Sequence, residues 1–189
     1  HGCQSKYHAL YTHWTSIPGD GYELLPDYFW VWGNETKRNI ERDRPVTNRC
    51  HKVVVGGNRW LAKWIEGKEN EFNLGDESLP DKLKCIKDWK SILVSLQPID
   101  DPLPVHLIDA MRRSPSDWIW LIRLSPLGRD KMDVIENMLK QSGISNYEIK
   151  YSTSAPLYQL LKHTAHHITC WSSVCYEALS FKAPTTIVH

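Results

Sequence analysis

The second half of this 189-residue chain alternates short apolar runs with segments of helical periodicity. Residues 90–97 (KSILVSLQ) and 117–124 (DWIWLIRL) are continuous apolar runs, which are typical of strands buried on both faces of a sheet. Between these runs, Val105, Ile108 and Met111 repeat at helical spacing. Strands that alternate with helices predict βαβ units and a parallel sheet.

The same alternation continues to the end of the chain and also occurs, less regularly, in its first half. In the second half it predicts strands at 147–151, 167–171 and 185–188, and helices at 102–113, 129–141, 156–163 and 173–181. In the first half it predicts strands at 27–33 and 52–55, and helices at 35–42 and 59–66. Because βαβ crossovers are right-handed, the expected fold is α/β, with a doubly wound, mostly parallel, Rossmann-like sheet.

Length and the continuity of this pattern predict a single domain over residues 1–189. Residues 69–88 are polar and contain Gly75 and Pro80, so we expect them to form a surface insertion. The chain begins at His1 without a methionine and ends in a strand-like run. We therefore expect it to be a fragment of a longer protein.

Composition excludes several classes of function. The chain has 23 Lys and Arg against 22 Asp and Glu, which argues against a nucleic-acid binder with a basic face. No apolar run approaches the roughly 18 residues of a membrane-spanning helix, and no signal-peptide pattern occurs. The five cysteines include no CxxC pair, so we expect free thiols in the reducing cytoplasm and no metal site.

The clearest candidate site follows the strand predicted at 167–171. Ligands of open parallel sheets bind beyond the carboxyl ends of the strands, so residues at strand ends are candidates. Ser172 and Ser173 stand where a strand gives way to a helix, and a helix N-terminus attracts a phosphate. Glu177, one turn further, can accept hydrogen bonds from a ribose diol. The alternative is an ordinary serine N-cap, with Glu177 stabilising the start of the helix.

Other strand ends carry weaker candidates. Ser125 and Pro126 follow a predicted strand, where a serine hydroxyl can bind a phosphate oxygen; the alternative is a strand stop followed by a turn. Gly56 and Gly57 follow another strand and permit close approach of a ligand to the backbone. Gln97 ends a third strand. We take these five residues as candidate contacts for a nucleotide.

Histidines suggest a base but no metal site. His1 stands beside Gly2 and can act as a general base near neutral pH. His166 and His167 are adjacent in a predicted strand, so their side chains point to opposite faces and are not expected to share a metal ion. The absence of GxSxG weighs against an α/β-hydrolase.

Three segments resemble one enzyme family. Residues 166–188 (HHITCWSSVCYEALSFKAPTTIV) combine a strand, a Ser-Ser pair, a helix with Glu, a small residue before Pro, and a strand. This is similar to the C-terminal nucleotide-binding half of GT-B glycosyltransferases, above all bacterial sialyl- and polysialyltransferases, capsule-polysaccharide transferases and CDP-glycerol glycerophosphotransferases. Residues 27–33 (DYFWVWG) resemble the segment that opens this half, and His1-Gly2 resembles the end of an upstream Gln-His-Gly or Trp-His-Gly motif.

The resemblance assigns roles to the candidate residues. It implies that Ser172 and Ser173 hold the donor's phosphate and that Glu177 contacts the ribose. His1 matches a motif histidine implicated in acceptor or donor chemistry. The family usually has His-Pro where this chain has Ser125 and Pro126, and that histidine assists the departing phosphate. Ser125 is therefore the main departure from the family pattern, and it bears on catalytic activity and on the class of donor.

The resemblance also implies a reaction. A glycosyl or glycerophosphoryl group would pass from a CMP-, CDP- or UDP-linked donor to a glycan or polyol acceptor of a surface polysaccharide, without metal or cofactor. The acceptor-binding domain would lie upstream, the full-length protein would associate peripherally with the inner face of the membrane, and the fragment alone would be inactive. The alternatives are a non-hydrolysing nucleotide-sugar epimerase on the same architecture and a non-catalytic nucleotide-binding module, the latter motivated by Ser125.

Overall fold

The computed structural model describes residues 26–42, 51–68, 90–99 and 103–188. The chain divides into two compact units, residues 1–66 and residues 67–189, which are described separately below. The single domain predicted from the sequence stays a prediction. The insertion predicted at 69–88 lies outside the described residues, as does His1.

The first unit contains one parallel pair of strands with two helices. Strands β1 (Tyr28–Val31) and β2 (Lys52–Val55) pair in parallel, and helices α1 (Asn34–Arg42) and α2 (Arg59–Ile65) follow them in turn. Val31, Ile40 and Val53 are buried together between α1 and one face of the pair. This strand–helix–strand–helix order matches the one predicted.

The second unit is built on a five-stranded, all-parallel sheet. Its strands are β3 (Lys90–Ser95), β4 (Trp118–Arg123), β5 (Tyr147–Glu148), β6 (His166–Thr169) and β7 (Thr185–Ile187). Its α-helices are α3 (Val105–Arg113), α4 (Met132–Gln141), α5 (Lys150–Ser154), α6 (Leu157–Leu161) and α7 (Val174–Ser180). The expected α/β fold with a doubly wound, Rossmann-like sheet is confirmed.

The strand order contains a topological switch point. The order is β5-β4-β3-β6-β7, so the chain winds outward from β3 to β5 and then returns to the other side of β3. The direction of winding therefore reverses between β3 and β6. In doubly wound sheets, ligands bind at the carboxyl ends of the strands that flank this topological switch point.

The two faces of this sheet differ in polarity. Residues such as Ile92, Val94 and Ile122 pack into the apolar cluster that also contains Met111 of α3 and Leu139 of α4. Because side chains alternate along a strand, the intervening residues of β3, β4 and β6 point to the opposite face. That second face includes the buried or half-buried polar residues Ser91, Ser95, Arg123, His167 and Thr169.

One predicted strand is wrong in its second half. The strand predicted at 147–151 ends at Glu148, and α5 begins at Lys150. The Glu148 carboxylate accepts hydrogen bonds from the backbone N–H of Tyr151 (2.8 Å) and of Ser152 (2.7 Å). It thus satisfies donors of the first helical turn, which a strand would have directed to a neighbouring strand.

The predicted start of the next helix also differs from the observed one, by three residues. The helix predicted at 129–141 is preceded by a 3-10 helix at Pro126–Lys131, and the α-helical part begins only at Met132. Proline fits the first turn of such a helix because its missing N–H would have no partner there. Among the described residues, no helix has the length and apolarity needed to cross a membrane.

Candidate functional site

Three polar side chains form a row across the switch point. Ser95, the last residue of β3, is in register with Arg123 of β4 on one side and with Thr169 of β6 on the other. Residues in register on parallel strands point to the same face, so Arg123, Ser95 and Thr169 form a polar row at the carboxyl edge. The Thr169 hydroxyl donates a hydrogen bond to the Ser95 carbonyl at 2.9 Å, which ties β6 to β3 at this edge.

His167 lies two residues before Thr169 on β6, on the same face of the sheet, and its side chain is completely buried. Its Nε2 atom is 3.0 Å from the Ser95 hydroxyl, and its Nδ1 atom is 3.1 Å from the Thr185 hydroxyl. A hydroxyl can donate or accept, so a neutral imidazole is satisfied in either tautomer. Burial, and secondarily the charge of His166, lowers the pKa of His167 to about 4. His167 is therefore neutral at physiological pH.

The two histidines of β6 point apart, as strand geometry predicts. The Nε2 atom of His166 is 2.8 Å from the hydroxyl of Thr186 on β7. His167 contacts Thr185, the neighbour of Thr186 on the same strand, whose side chain points to the opposite face. Among the described residues, no group of three or more His, Cys, Asp or Glu side chains can hold a metal ion. Cys170 and Cys175 are both free and half-buried.

Arg123 anchors the helix layer above the polar row. Its Nη1 atom donates to the carbonyl oxygens of Ser152 and Ala155, both at 2.7 Å. These carbonyls belong to the end of α5, where a cation satisfies backbone acceptors and the helix dipole. Burial and the charge of Arg129 lower the pKa of Arg123, while Glu177 acts in the opposite sense.

Glu177 lies on the inner side of α7. Its side chain is buried, and Oε1 accepts a 2.7 Å hydrogen bond from the Tyr158 hydroxyl of α6. Burial raises the pKa of Glu177, while the Tyr158 hydrogen bond and the charge of Arg123 lower it. The carboxyl group predicted to contact a ribose is thus held within the protein by Tyr158, and its contact with a ribose stays a prediction.

The serine pair stands in the loop that leaves β6 at the switch point. The half-buried Ser172 caps the next turn, since its hydroxyl accepts a 3.3 Å hydrogen bond from the Val174 N–H. Ser173 immediately precedes α7, but its hydroxyl makes no capping hydrogen bond and is exposed. The alternative of an ordinary N-cap therefore accounts for Ser172 and leaves the Ser173 hydroxyl available to a ligand.

Ser125 follows β4 but turns its hydroxyl inward. Its Oγ atom is buried and has no hydrogen-bond partner. A Cβ atom built on Gly128 would lie 3.5 Å from this oxygen, so the turn at Gly128 packs closely over it. Pro126 begins the 3-10 helix, and the half-buried Gln97 lies beside Ser125 across the carboxyl edge.

Replacing Ser125 by alanine should raise the free energy of unfolding by about 1 kcal/mol, because a buried hydroxyl without a partner carries a desolvation penalty. Urea unfolding of the Ser125→Ala variant measures this change. Ser154→Ala, at an exposed serine, is the matched control and should change stability by less than about 0.5 kcal/mol. A loss of stability in Ser125→Ala would show instead that the hydroxyl makes a hydrogen bond in solution.

The glycine pair of the first unit is approached by a tryptophan of the same unit. The Trp30 indole N–H donates to the Gly57 carbonyl at 2.8 Å, and a Cβ on Gly56 would lie 1.9 Å from the indole ring. Gly57 has a φ of +71°, which favours glycine, and Asn58 then caps α2 by accepting from the Leu61 N–H at 3.0 Å. Trp30 and the turn thus account for both glycines, and their contact with a nucleotide stays a prediction.

The predicted site residues fall into three groups. Five candidates follow the carboxyl ends of β3, β4 and β6 in the second unit, and Glu177 lies one turn beyond them; the five are Gln97, Ser125, Pro126, Ser172 and Ser173. Gly56 and Gly57 belong to the first unit. His1 lies outside the described residues.

The sequence places Arg123 at the start of the candidate segment that contains Ser125, but it does not predict that Arg123 lies in a row with Ser95 and Thr169. Arg123 carries a signal, since it is the one charged residue in the run 118–123 (WIWLIR) of a buried strand. Ser95 and Thr169 carry none, because their proximity depends on which strands pair. Comparison of the chain with protein-family models, curated proteins and solved structures finds no match.

Proposed function

We propose that the second unit is the donor-binding lobe of a metal-independent GT-B glycosyltransferase, with a CMP-, CDP- or UDP-linked donor. The observation that carries the proposal is the position of Ser172 and Ser173, in the loop that leaves β6 at the switch point between β3 and β6. Ligands of doubly wound sheets bind at this place. The exposed hydroxyl of Ser173 is available to a donor phosphate.

The proposed reaction breaks the bond between the anomeric carbon of the sugar and a phosphate oxygen of the nucleotide. Negative charge then develops on the departing phosphate, and the hydroxyls of Ser172 and Ser173 donate hydrogen bonds that stabilise it. A hydroxyl of the glycan or polyol acceptor forms the new bond and loses its proton to a base, for which we propose His1. The acceptor would be held by an upstream domain at the cytoplasmic face of the membrane.

A non-catalytic nucleotide-binding module is the second candidate. It is favoured by Ser125, whose buried hydroxyl stands where the resembled family has a histidine that assists the departing phosphate. A serine hydroxyl in this position cannot supply a proton near neutral pH. Turnover of a CMP-, CDP- or UDP-linked sugar by the full-length protein, with a glycan acceptor present, would exclude this candidate.

Nucleotide binding can be tested on the chain by NMR titration with CMP, CDP and UDP. We expect at least one nucleotide to shift the backbone amides of residues 172–177, because these surround the proposed phosphate position. Ser173→Ala should weaken binding about threefold to tenfold, as the loss of one hydrogen bond predicts. Ser180→Ala, at an exposed serine in the last turn of the same helix, is the control and should bind as the wild type does.

The proposal fails if none of the three nucleotides moves the amides of residues 172–177. It also fails if Ser173→Ala and Ser180→Ala weaken binding equally, since the effect would then not depend on the switch point.

A further inference from the structure

A groove lies beside β5, the strand at one edge of the five-stranded sheet. Its lining comes from one stretch of chain, between the second turn of α4 and the first residue of α5, and its volume is about 660 Å³. This volume lies within the range of small-molecule sites. Most of its surface is apolar, and the buried residues Ile144 and Ile149 line it. The groove therefore has the size and the surface of a site for a small molecule with an apolar ring.

The turn between α4 and β5 leaves the groove open. Gly143 has a φ of +73°, which favours glycine, and a Cβ atom built on it would meet no heavy atom within 4 Å. Ser145, two residues later, also lines the groove and is exposed. A ligand can therefore enter from this side without displacing a side chain that belongs to the core.

Four charged residues line the groove, and three of them have partners within the protein. The Glu136 carboxylate is 3.2 Å from the Lys140 ammonium. The Glu148 carboxylate accepts hydrogen bonds from the N–H and from the hydroxyl of Ser152, both at 2.7 Å. Lys150 is exposed and forms no ion pair with the described residues. The charge that remains without a partner at the groove is therefore positive.

Tyr147 adds an aromatic ring to the lining without adding a charge. Burial, and then the charge of Glu136, raise the pKa of Tyr147, and a hydrogen bond with Glu136 acts in the same direction, while Lys140 opposes it. The phenol therefore keeps its proton at neutral pH. A negatively charged ligand would meet no phenolate in the groove.

We propose that this groove binds a small molecule that combines an apolar ring with one carboxylate group. The ring would lie on the apolar surface that Ile144 and Ile149 line, and the carboxylate would pair with the Lys150 ammonium. An ammonium presents three donors on a flexible stem, so it can adapt to a carboxylate above the ring. A cationic ligand would instead be repelled, and a neutral one would gain no ion pair.

The position of the groove makes it a site of its own. It lies at β5, which is separated by β4 from β3 and thus from the switch point. None of the residues proposed to contact a nucleotide lines it. The proposal therefore does not rest on the proposed function.

NMR titration with 2-naphthoate and with its neutral isostere 2-naphthamide tests the proposal. We expect 2-naphthoate to shift the backbone amides of residues 143–150, with a dissociation constant of about 1 mM, as the usual affinity per atom of small ligands predicts. 2-Naphthamide should bind about threefold more weakly, because it lacks the charge that pairs with Lys150.

Variants of Lys150 test the ion pair. Lys150→Gln should weaken the binding of 2-naphthoate about threefold and leave that of 2-naphthamide unchanged. Lys150→Arg keeps the charge and should keep the preference for the carboxylate. Lys162→Gln removes the charge of an exposed lysine outside the groove, and this control should bind both probes as the wild type does. Thermal unfolding checks that all three variants remain folded.

A second type of variant tests the place of binding independently of charge. Ser145→Trp introduces a large side chain at an exposed position of the lining, so it should abolish the binding of both probes without lowering the unfolding temperature. Ser154→Trp, at an exposed serine outside the groove, is the matched control and should bind as the wild type does.

Three results would overturn the proposal. The site is refuted if 2-naphthoate leaves the amides of residues 143–150 unmoved at millimolar concentration, or if Ser145→Trp binds it as the wild type does. The assignment of a carboxylate is refuted if the two probes bind the wild type equally. The amides of residues 172–177 report nucleotide binding separately, so failure here leaves the proposed function as it stands, and failure there leaves this site.

Discussion

Acidification from pH 7 to pH 4 should lower the free energy of unfolding by about 3 kcal/mol through His167 alone. The folded protein buries this imidazole completely and lowers its pKa to about 4. In the unfolded chain the pKa of His167 returns to about 6.5. Between pH 6.5 and pH 4 the unfolded state therefore binds a proton on His167 that the folded state does not bind. The loss begins below pH 6.5, reaches about 2 kcal/mol at pH 5 and levels off below pH 4.

Urea unfolding of the wild type and of His167→Gln, at pH 7, 6, 5 and 4, isolates this contribution. The difference in stability between the two proteins should shrink, or change sign in favour of the variant, as the pH falls. Glu177, with its raised pKa, acts in the opposite direction, because it stabilises the fold on protonation, but this contribution is common to both proteins and cancels. A difference that stays constant from pH 7 to pH 4 would contradict the prediction.

His166→Gln is the matched control, since His166 is the neighbouring histidine of β6 and is only partly buried. Its removal should leave most of the pH dependence in place. It also removes the nearby charge that contributes to the lowered pKa of His167, so a small decrease in the slope is expected.

The parallel sheet could be predicted because its cause is local. The apolar runs that form β3 and β4 were placed within two residues of their observed bounds, and the helix pattern between them required a crossover. The order of the strands could not be predicted in this way, because pairing is decided by packing between distant segments. The switch point between β3 and β6, and with it the polar row of Arg123, Ser95 and Thr169, therefore came only from the structure.

For the candidate site residues, too, the local sequence predicts their place in the chain but not the contacts that depend on distant segments. The position of Ser172 and Ser173 after a strand and before a helix follows from the local pattern, and the structure places them there. The orientation of Ser125 depends on the turn that brings Gly128 over its hydroxyl. The surroundings of Gly56 depend on Trp30, which is 26 residues earlier and has no sequence signal that directs its ring to a glycine.

Removing the hydroxyl of Tyr158 should lower the free energy of unfolding at pH 7 by about 2 kcal/mol, as is typical of a lost hydrogen bond to a buried charged group. The Tyr158→Phe variant leaves Oε1 of Glu177 without the donor that holds it at 2.7 Å. Burial already raises the pKa of Glu177, and the lost hydrogen bond would raise it further. The loss of stability should therefore decrease towards acidic pH, where the carboxyl group is protonated in both proteins.

Urea unfolding at pH 7 and pH 5 measures the effect of Tyr158→Phe, with Tyr176→Phe as control on the exposed side of α7, where the tyrosine is 58% exposed. The control should change stability by less than about 0.5 kcal/mol. Adding Glu177→Gln to Tyr158→Phe should recover part of the loss, because a neutral amide is buried at a lower cost than a carboxylate. Equal losses in Tyr158→Phe and Tyr176→Phe would contradict the prediction. If Glu177→Gln alone weakens nucleotide binding at unchanged stability, the carboxyl group contacts the ribose as the sequence predicts. If binding is unchanged, the carboxyl group makes no contact with the ribose and serves only to hold α7 through Tyr158.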